Sequence, residues 1–428
     1  MYISQQIAAI AVSQVLSGRN LTLALPDALK SYPSATPQQR GAAADLSYGT
    51  LRFFGEVNAY LIKLLEKPLS NEHITALLLV AIYQLLHDKA DDFTVVNQAV
   101  EAASYAKPRW AKGLVNGVLR NFLRQKEALS LQLKADEVAI YSYPQWWINK
   151  LKHQYPATWQ SILTTGNAHP PMTLRVNVQK TSAKEYVQLL ARQDILASQV
   201  GEYAVILEQP IPVEKIPGFA DGVVSVQDYG AQLAADLLDL KAGMTVLDAC
   251  CAPGGKTGHI LESGDVKLTA LDNDASRLGR VESNLSRLQL MADLQLGDAA
   301  LWQASQPFER ILADVPCTAS GIVRRHVDIK WLRRESDIAS FAAQQSLILA
   351  NLWQLLAKGG KLLYVTCSIF NEENQQQIDA FLLKNHDAKQ LPLNLTNENH
   401  QHIQCAHGQL IPNSQHDGLF YALLQKAA

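Results

Sequence analysis

Two cysteines occupy matching positions in the C-terminal half of this chain of 428 residues. Cys317 and Cys367 each come shortly after an apolar run, 310–314 and 361–366, that is typical of a buried strand. If these strands are neighbours, their ends are only about 5 Å apart, and both thiols flank one cavity about the width of a nucleic-acid base. One cysteine alone is commonly a small buried hydrophobe, but a pair at adjacent strand ends indicates a reactive site.

The chemistry that suits such a pair of thiols is substitution on a pyrimidine ring. Carbon 5 of a pyrimidine is a poor nucleophile, but a thiolate that adds to carbon 6 makes carbon 5 able to attack a methyl sulfonium. One thiol can attack while another group assists release. The carboxyl group of Asp314, at the end of the first strand, could donate a proton or a hydrogen bond to ring nitrogen 3. The sequence therefore suggests methyl transfer to a nucleic-acid base.

A third junction of strand and loop, at 246–257, contains Gly254, Gly255 and Lys256. A Walker loop needs a glycine six residues before the lysine, where Cys250 stands, and a dinucleotide fingerprint needs a different spacing of glycines. A purely structural glycine turn remains an alternative to a cofactor loop.

Two acids farther along the chain favour the cofactor loop. Asp272 ends the next strand, where a carboxylate can accept hydrogen bonds from ribose hydroxyls, and Asp298 is placed to meet an adenine amino group. Either acid alone is also typical of a cap or a turn. A glycine loop with two such acids and no phosphate clamp suits S-adenosylmethionine.

Length and composition indicate a multidomain protein with substantial cores. Of the residues, 48% are hydrophobic and 18% are charged, and the formal net charge is only −2, so any nucleic-acid site depends on local basic clusters. The five cysteines include no CxxC pair, so we expect neither a disulfide framework nor a metal. The N-terminus lacks a basic region and no apolar stretch reaches about 18 residues, so we expect no membrane segment and a cytoplasmic location.

The periodicity of apolar residues divides the chain into three predicted segments. Residues 1–140 are expected to form an all-helical domain, and residues 141–222 a small α+β linker subdomain. In residues 223–428, strands alternate with helices, which is typical of a Rossmann-like α/β domain with a mainly parallel sheet. The strands are predicted at 244–248, 266–272, 310–314, 361–366 and 419–424, and the helices at 274–290 and 336–357.

Two basic clusters are candidates for contacts with nucleic-acid phosphates. The stretch 107–126 contains no acid, and the stretch 324–334 follows Cys317 with Asp328 as its one acid. Solvated helix faces are the alternative interpretation of both clusters. The candidate RNA-binding residues are Lys107, Arg109, Lys112, Arg120, Arg124, Arg324, Arg325 and Lys330.

The motifs at 246–257, 314–321, 324–334 and 366–368 resemble those of the bacterial RNA 5-methylcytosine methyltransferases of the NOL/NOP/Sun group. The N-terminal part is similar to the NusB-type RNA-binding domain, so that the resemblance covers essentially the whole chain. It implies that Cys367 is the nucleophile and that Cys317 helps to release the product. It also implies a 16S ribosomal RNA substrate and S-adenosylmethionine as cofactor. The implied cofactor contacts are Cys250, Cys251, Ala252, Pro253, Gly254, Gly255, Lys256, Asp272, Asp298 and Asp314, the last of which is also a candidate catalytic residue.

Two alternatives to this interpretation remain at the level of sequence. The same chemistry could act on transfer RNA, because the NusB-like part favours ribosomal RNA only by analogy. A non-catalytic RNA-binding adaptor, led by the helical part, would bind RNA without binding the cofactor. The presence of both thiols and all three acids favours the enzyme, which we expect to be a monomer.

Overall fold

A computed structural model describes residues 2–87, 90–105, 110–393 and 407–428. In chain order, its helices are α1 (Tyr2–Leu16), α2 (Leu21–Lys30), α3 (Pro37–Arg52), α4 (Phe54–Leu64), α5 (Glu72–His87), α6 (Asp92–Tyr105), α7 (Ala111–Leu133), α8 (Glu137–Tyr141), α9 (Gln145–Gln154), α10 (Trp159–Gly166), α11 (Ala183–Ala191), α12 (Tyr229–Leu237), α13 (Gly255–Ser263), α14 (Ala275–Leu288), α15 (Ile329–Leu332), α16 (Glu335–Leu355) and α17 (Gln375–Lys384). The strands are β1 (Met172–Val176), β2 (Ala197–Gln199), β3 (Ala204–Leu207), β4 (Val224–Val226), β5 (Thr245–Ala249), β6 (Lys267–Asp272), β7 (Asp293–Leu296), β8 (Phe308–Asp314), β9 (Leu356–Thr366), β10 (Ala388–Leu391), β11 (Gln409–Leu410) and β12 (Leu419–Lys426).

The chain forms two compact units. One, the helical unit, comprises Met1–Ala168 and Val323–Glu335, and the other, the sheet unit, comprises His169–Ile322 and Ser336–Ala428. None of the described helices is both long and apolar enough to cross a membrane.

The helical unit is organised around α5, whose apolar residues occur on every side of the helix. Residues 76–82 of α5 are all completely buried, as expected for a helix without a polar face. Helix α3 begins at a capping box, in which Thr36 and Gln39 each accept a hydrogen bond from the other's backbone N–H. The predicted all-helical N-terminal part is thereby confirmed.

The segment 323–335 belongs to the helical unit although it follows strand β8 of the sheet unit in sequence. Val327 is part of the core of the helical unit. The backbone N–H of Leu21 donates to Asp328 Oδ2 at 2.8 Å, and Trp331 Nε1 donates to the carbonyl oxygen of Leu51 at 2.7 Å. These contacts hold the segment against α2 and α3.

The sheet unit contains a small antiparallel sheet in the order β2-β3-β1-β4. Helix α11 packs on it and begins at a capping box formed by Ser182 and Glu185. This is the predicted small α+β pattern, with two additional strands, β2 and β4. Both are only three residues long, and their sequences carry little strand signal.

The main sheet has the order β10-β12-β9-β8-β5-β6-β7, with β11 paired to β12. Strands β9, β8, β5, β6 and β7 are parallel, and β12 runs antiparallel to β9. The predicted mainly parallel sheet is therefore confirmed, and strands overlap each of the five predicted runs. Strands β7 and β10 were not predicted, because they are partly or fully exposed and their polar residues interrupt any apolar run. The carboxyl ends of β5, β6 and β8 point to the same edge of the sheet, where ligands bind in open α/β folds.

Two glycines allow the loop after β8 to approach the start of β12. Gly321 donates its backbone N–H to the carbonyl oxygen of Cys367 at 2.8 Å, and Gly418 donates to the carbonyl oxygen of Gly321 at 2.9 Å. A Cβ atom on Gly321 would lie 2.1 Å from the carbonyl oxygen of Gly418, which is backbone and cannot rotate away. Any side chain at position 321 must therefore separate these loops.

We expect Gly321→Ala to lower the free energy of unfolding by about 1–3 kcal/mol, because overpacking forces backbone shifts. Gly279→Ala is the matched control, since Gly279 lies within α14 and an added Cβ would meet nothing within 4 Å. The control should leave stability unchanged or raise it by up to about 1 kcal/mol. Chemical denaturation of both variants measures the difference, and equal stability of the two would contradict this account of the close approach.

Candidate active site

The two thiols converge where strands β8 and β9 end side by side. Asp314 of β8 pairs with Val365 of β9 in parallel register, so that both chains turn out of the sheet at the same level. The sulfur atoms of Cys317 and Cys367 are 3.3 Å apart. The predicted convergence of the two sulfur atoms is confirmed, whereas their catalytic roles stay a prediction.

The two sulfur atoms have different environments. Cys317 is buried and Cys367 is half-buried. Its hydrogen bond with Cys367, its burial, and negative charge on Cys367 and Glu373 all raise the pKa of Cys317 well above its ordinary value. Cys317 therefore keeps its proton and is suited to donate its S–H to the sulfur of Cys367, which is the more accessible atom of the pair.

A lysine of the glycine loop supplies positive charge beside the thiols. Lys256 Nζ donates to Asp314 Oδ2 at 2.6 Å, and the two side chains are 15% and 30% exposed. Burial alone would lower the pKa of Lys256, but the negative charge of Asp314, assisted by that of Cys367 and Asp248, raises it overall. The ammonium group is therefore charged, and its charge acts on Cys367.

The predicted cofactor loop lies between β5 and α13. Gly254 has a φ of +93°, a conformation that glycine adopts without strain. The preceding peptide bond of the loop, between Ala252 and Pro253, is cis. The backbone N–H of Ala252 donates to Asp272 Oδ2 at 3.1 Å, which joins the loop to the end of β6.

A cavity lies at the carboxyl ends of β5, β6, β7 and β8, and Cys250, Asp272 and Asp298 line it. Pro316 and Ile348 give it apolar walls. Asp272 is 1% exposed and accepts backbone N–H groups from Ala252 and Asp274, but carboxylate oxygens can accept further hydrogen bonds. Two carboxylates and apolar walls fit the ribose and adenine of S-adenosylmethionine. Asp298 also accepts a hydrogen bond from the backbone N–H of Ala300, which is the turn interaction considered as its alternative role.

Of the residues predicted to contact the cofactor, Cys250, Asp272 and Asp298 line this cavity. Cys251 is 5% exposed and packs into the core beneath the sheet. A cofactor contact at Cys251 stays a prediction, and it would have to be made by the backbone because the side chain is buried. Within the described residues, no group of three or more His, Cys, Asp or Glu side chains is arranged to hold a metal ion.

The exposed basic residues predicted to contact RNA lie on α7. Lys112, Arg120 and Arg124 are exposed there, and the first two line a surface groove together with Phe93 of α6, which is 73% exposed. Lys107 and Arg109 lie outside the described residues.

The second basic cluster is largely buried. Lys330 is 0% exposed, and its Nζ donates to the carbonyl oxygen of Arg52 and to Asn167 Oδ1, both at 2.7 Å. Burial, and then the charge of Arg52, lower its pKa well below the ordinary value. Arg324 is 2% exposed and Arg325 is half-buried. The expectation of phosphate contacts at Lys330 and Arg324 is corrected, because enclosed side chains cannot reach a surface phosphate.

Two buried acids at the site received no role in the sequence analysis. Asp248, at the end of β5, accepts a hydrogen bond from Thr257 Oγ1 at 2.6 Å, and Glu373 follows β9. The signal at Asp248 was a carboxylate inside an apolar strand, which requires a buried partner. Burial raises the pKa of Asp248 to about 7; the hydrogen bond from Thr257 lowers it, and the neighbouring charge of Asp314 raises it.

Comparison with known proteins agrees with this arrangement. The family model for the 16S rRNA methyltransferase RsmB/F matches residues 235–425, the RsmF/B-like ferredoxin-like domain matches residues 143–214, and the NusB family matches residues 3–124. The ribosomal RNA small subunit methyltransferase B of Pseudomonas syringae pv. tomato is 42% identical and covers 98% of this chain and 96% of its own. The enzyme of the same name from Serratia proteamaculans is also 42% identical, and the alignment covers 99% of each chain.

Solved structures show the same fold. The crystal structure of PH0851 superposes with a TM-score of 0.81 at 23% identity and covers 100% of this chain and 99% of its own. The crystal structure of a methyltransferase homologue from Pyrococcus horikoshii has a TM-score of 0.59 at 27% identity and covers 68% of this chain and 98% of its own.

The fold and the cavity define a Rossmann-like, S-adenosylmethionine-dependent methyltransferase with a NusB-like helical part. The chain belongs to the 16S rRNA methyltransferase RsmB/F family, and it is a ribosomal RNA methyltransferase.

The raised pKa of Asp248 predicts a pH-dependent effect of Asp248→Asn on stability. The carboxyl group ionises near pH 4 in the unfolded chain but only at about pH 7 in the folded one. Its contribution to stability is present below pH 4 and is lost as the pH rises to 7. The asparagine variant, which cannot ionise and still accepts from Thr257, should gain roughly 2–3 kcal/mol relative to the original chain between pH 5 and 7.

Denaturant titrations of both proteins at pH 5, 6, 7 and 8 measure this difference. If the difference in free energy of unfolding between the two proteins does not change with pH, Asp248 is ionised in the folded chain throughout this pH range.

Proposed function

We propose that the enzyme methylates carbon 5 of a cytosine in 16S ribosomal RNA through a covalent bond between Sγ of Cys367 and carbon 6 of the base. The observation that carries this proposal is the 3.3 Å separation of the two sulfur atoms just beyond the ends of β8 and β9. Methylation at an exocyclic nitrogen or a ribose oxygen needs no thiol, because such atoms are already nucleophilic. Two thiols beside one another fit a reaction that both forms and breaks a carbon–sulfur bond.

The proposed order of events follows from the environments of the thiols. Cys367, beside the charged Lys256, adds to carbon 6, and carbon 5 then takes the methyl group. A water molecule takes the proton from carbon 5, the electron pair of that C–H bond restores the ring double bond, and the carbon–sulfur bond to Cys367 breaks with its electron pair going to the sulfur. Cys317, which holds its proton beforehand, assists this release. Asp314 is positioned by Lys256 and is proposed to accept a hydrogen bond from the cofactor, or from ring nitrogen 3 once that nitrogen carries a proton.

The cofactor, when bound, supplies the methyl group as an electrophilic sulfonium. We propose that Asp272 holds its ribose and Asp298 its adenine amino group, with the loop from Cys250 to Lys256 around the remainder. The carboxylates that line the cavity support this placement, since the sulfonium donor carries positive charge and lacks phosphates.

The RNA is proposed to be held partly by the helical unit. Lys112, Arg120 and Arg124 present three cationic side chains on one exposed helix, and phosphate contacts of this kind supply affinity without reading sequence. We further propose that residues 1–140, 141–222 and 223–428 act as RNA-binding, linking and catalytic domains of a monomeric cytoplasmic enzyme.

Methylation of transfer RNA by the same chemistry is the second candidate function. The NusB-like part and the relatives named for the ribosomal small subunit favour ribosomal RNA. A non-catalytic adaptor is disfavoured by membership of a methyltransferase family and by the paired thiols.

Substitution of each cysteine by alanine is expected to block a different step of the reaction. With labelled S-adenosylmethionine and undermodified 16S ribosomal RNA, Cys367→Ala should lower methyl incorporation by roughly 10³-fold or more, as removal of a covalent nucleophile does. Cys317→Ala should instead accumulate a protein–RNA adduct that survives denaturing electrophoresis. Full activity of Cys367→Ala would falsify the assignment of the nucleophile, and Cys317→Ala without an adduct would remove Cys317 from the release step.

The substrate is tested by bisulfite mapping of total RNA from cells that lack this enzyme. We expect one or more 16S cytosines to lose methylation, and the loss to be restored by the intact chain but not by Cys367→Ala. Loss confined to transfer RNA would establish the second candidate function instead.

A further inference from the structure

Glu373 is a buried acid that the proposed reaction does not use. It ends a short 3₁₀ turn, Asn371–Glu373, that follows strand β9, and it is 0% exposed. Burying a carboxylate costs several kcal/mol unless hydrogen bonds compensate for the lost water. The hydrogen-bond partners of Glu373 therefore show what this buried group does.

The carboxylate of Glu373 bonds to the residue that follows each cysteine. Its Oε1 accepts the backbone N–H of Thr318 at 2.8 Å, and its Oε2 is 2.5 Å from the hydroxyl oxygens of both Thr318 and Ser368. Thr318 directly follows Cys317, and Ser368 directly follows Cys367. One rigid group thus joins the two loops that carry the sulfur atoms.

Additional bonds hold this connection in place. Gln345 of α16 donates to Glu373 Oε1 at 3.2 Å and to the carbonyl oxygen of Pro316 at 2.9 Å. Asn374 accepts from Thr366 Oγ1 at 2.6 Å and donates to the carbonyl oxygen of Ser368 at 2.9 Å. Both cysteine loops are therefore connected to one buried network.

All of these neighbours donate hydrogen bonds to Glu373, so both of its carboxyl oxygens act as acceptors. The backbone N–H of Thr318 and the NH₂ group of Gln345 can only donate, and the hydroxyl groups of Thr318 and Ser368 donate to Glu373 as well. Burial raises the pKa of Glu373, whereas the hydrogen bonds from Ser368, Thr318 and Gln345 lower it. A glutamine of the same shape would present its NH₂ group either to the N–H groups of Thr318 and Gln345, which cannot accept, or to the two hydroxyl groups, which would then have to reverse from donors to acceptors and rearrange their other hydrogen bonds.

We propose that Glu373 is a positioning residue that sets the distance between the sulfur atoms of Cys317 and Cys367 by tying together the loops that carry them. Its effect on turnover rests on the proposed function, but its effect on the sulfur distance does not. Its carboxylate contacts neither the cavity nor either sulfur atom directly, so it acts through Thr318 and Ser368.

The test measures the distance between the sulfurs without RNA or cofactor. Sulfur atoms held 3.3 Å apart need to move only to about 2 Å to form a disulfide, so a thiol oxidant such as diamide should link them rapidly. The rate is followed by alkylating the remaining thiols and identifying the linked peptides by mass spectrometry. We expect Glu373→Gln to slow formation of the Cys317–Cys367 disulfide at least about tenfold, because proximity gives such reactions their high effective concentration.

Asp379→Asn is the matched control. Asp379 is an exposed carboxylate on α17, and its side chain accepts a hydrogen bond from Gln375 at 2.8 Å, away from both cysteine loops. This variant should form the disulfide at the original rate. Circular dichroism and thermal unfolding establish that the variants are folded. A folded Glu373→Gln protein that forms the disulfide as fast as the control would overturn the proposal.

Ser368→Ala provides a second variant if Glu373→Gln does not fold. It removes one of the two loop connections and leaves the carboxylate bound to Thr318, so we expect a severalfold slower disulfide. An unchanged rate in Ser368→Ala, with Glu373→Gln unfolded, would also overturn the proposal.

Turnover separates this proposal from the proposed function. In a chain that methylates RNA, Glu373→Gln should lower kcat about 10²-fold, as a displacement of about 1 Å does, and leave the KM for S-adenosylmethionine within about twofold, because the cofactor cavity is untouched. Glu373→Asp, which keeps both acceptor oxygens, should recover part of the loss. If the original chain proves inactive on RNA while Glu373→Gln still slows the disulfide, the proposed function fails and the positioning role stands.

Discussion

The active site depends on the parallel pairing of strands β8 and β9, because that pairing brings two loops from distant parts of the sequence to one level of the sheet. Parallel hydrogen bonding from Arg310 to Asp314 leaves Cys317 and Cys367 within 3.3 Å of each other although 50 residues separate them. A shift of the register by one residue would displace one sulfur by about 3 Å and turn neighbouring side chains to the other face. The close approach of Gly321 to Gly418 and the network around Glu373 then hold the loops beyond the strands, where sheet hydrogen bonds no longer act.

Charge is the second constraint at the site. Several ionisable groups lie near the ends of β5, β8 and β9: Asp248, Lys256, Asp314, Cys317 and Glu373. Lys256 and Asp314 form an ion pair, Asp248 and Glu373 accept hydrogen bonds from hydroxyl groups, and Cys317 is hydrogen-bonded to the sulfur of Cys367. The result is that the two thiols differ: Cys317 retains its proton, and Cys367 lies within the influence of a lysine. An asymmetry of this kind is what a reaction with one attacking and one releasing thiol requires.

The helical unit shows how a basic cluster can serve the fold instead of a ligand. Lys330 and Arg324 occur in a stretch rich in cations, yet the segment 323–335 packs its apolar residues and its cations into the helical core. Lys330 is accommodated by two oxygen atoms and by the ring of Tyr143, whose centroid is 4.3 Å from Nζ. The exposed cations of α7 remain the better candidates for phosphate contacts, since nothing encloses them.

The sequence by itself determined the class of fold, the sheet edge that carries the site and the two thiols. Apolar periodicity and the positions of loops are local properties, and five apolar runs were enough to define a mainly parallel sheet. The resemblance of the motifs also indicated the family that the comparisons confirm. Only the tertiary structure decided which charges act where: that the charge of Lys256 acts on Cys367, that Lys330 is enclosed, that Cys251 packs into the core, and that Glu373 joins both cysteine loops. Burial and partners depend on residues far apart in the chain, and no local pattern of letters carries that information.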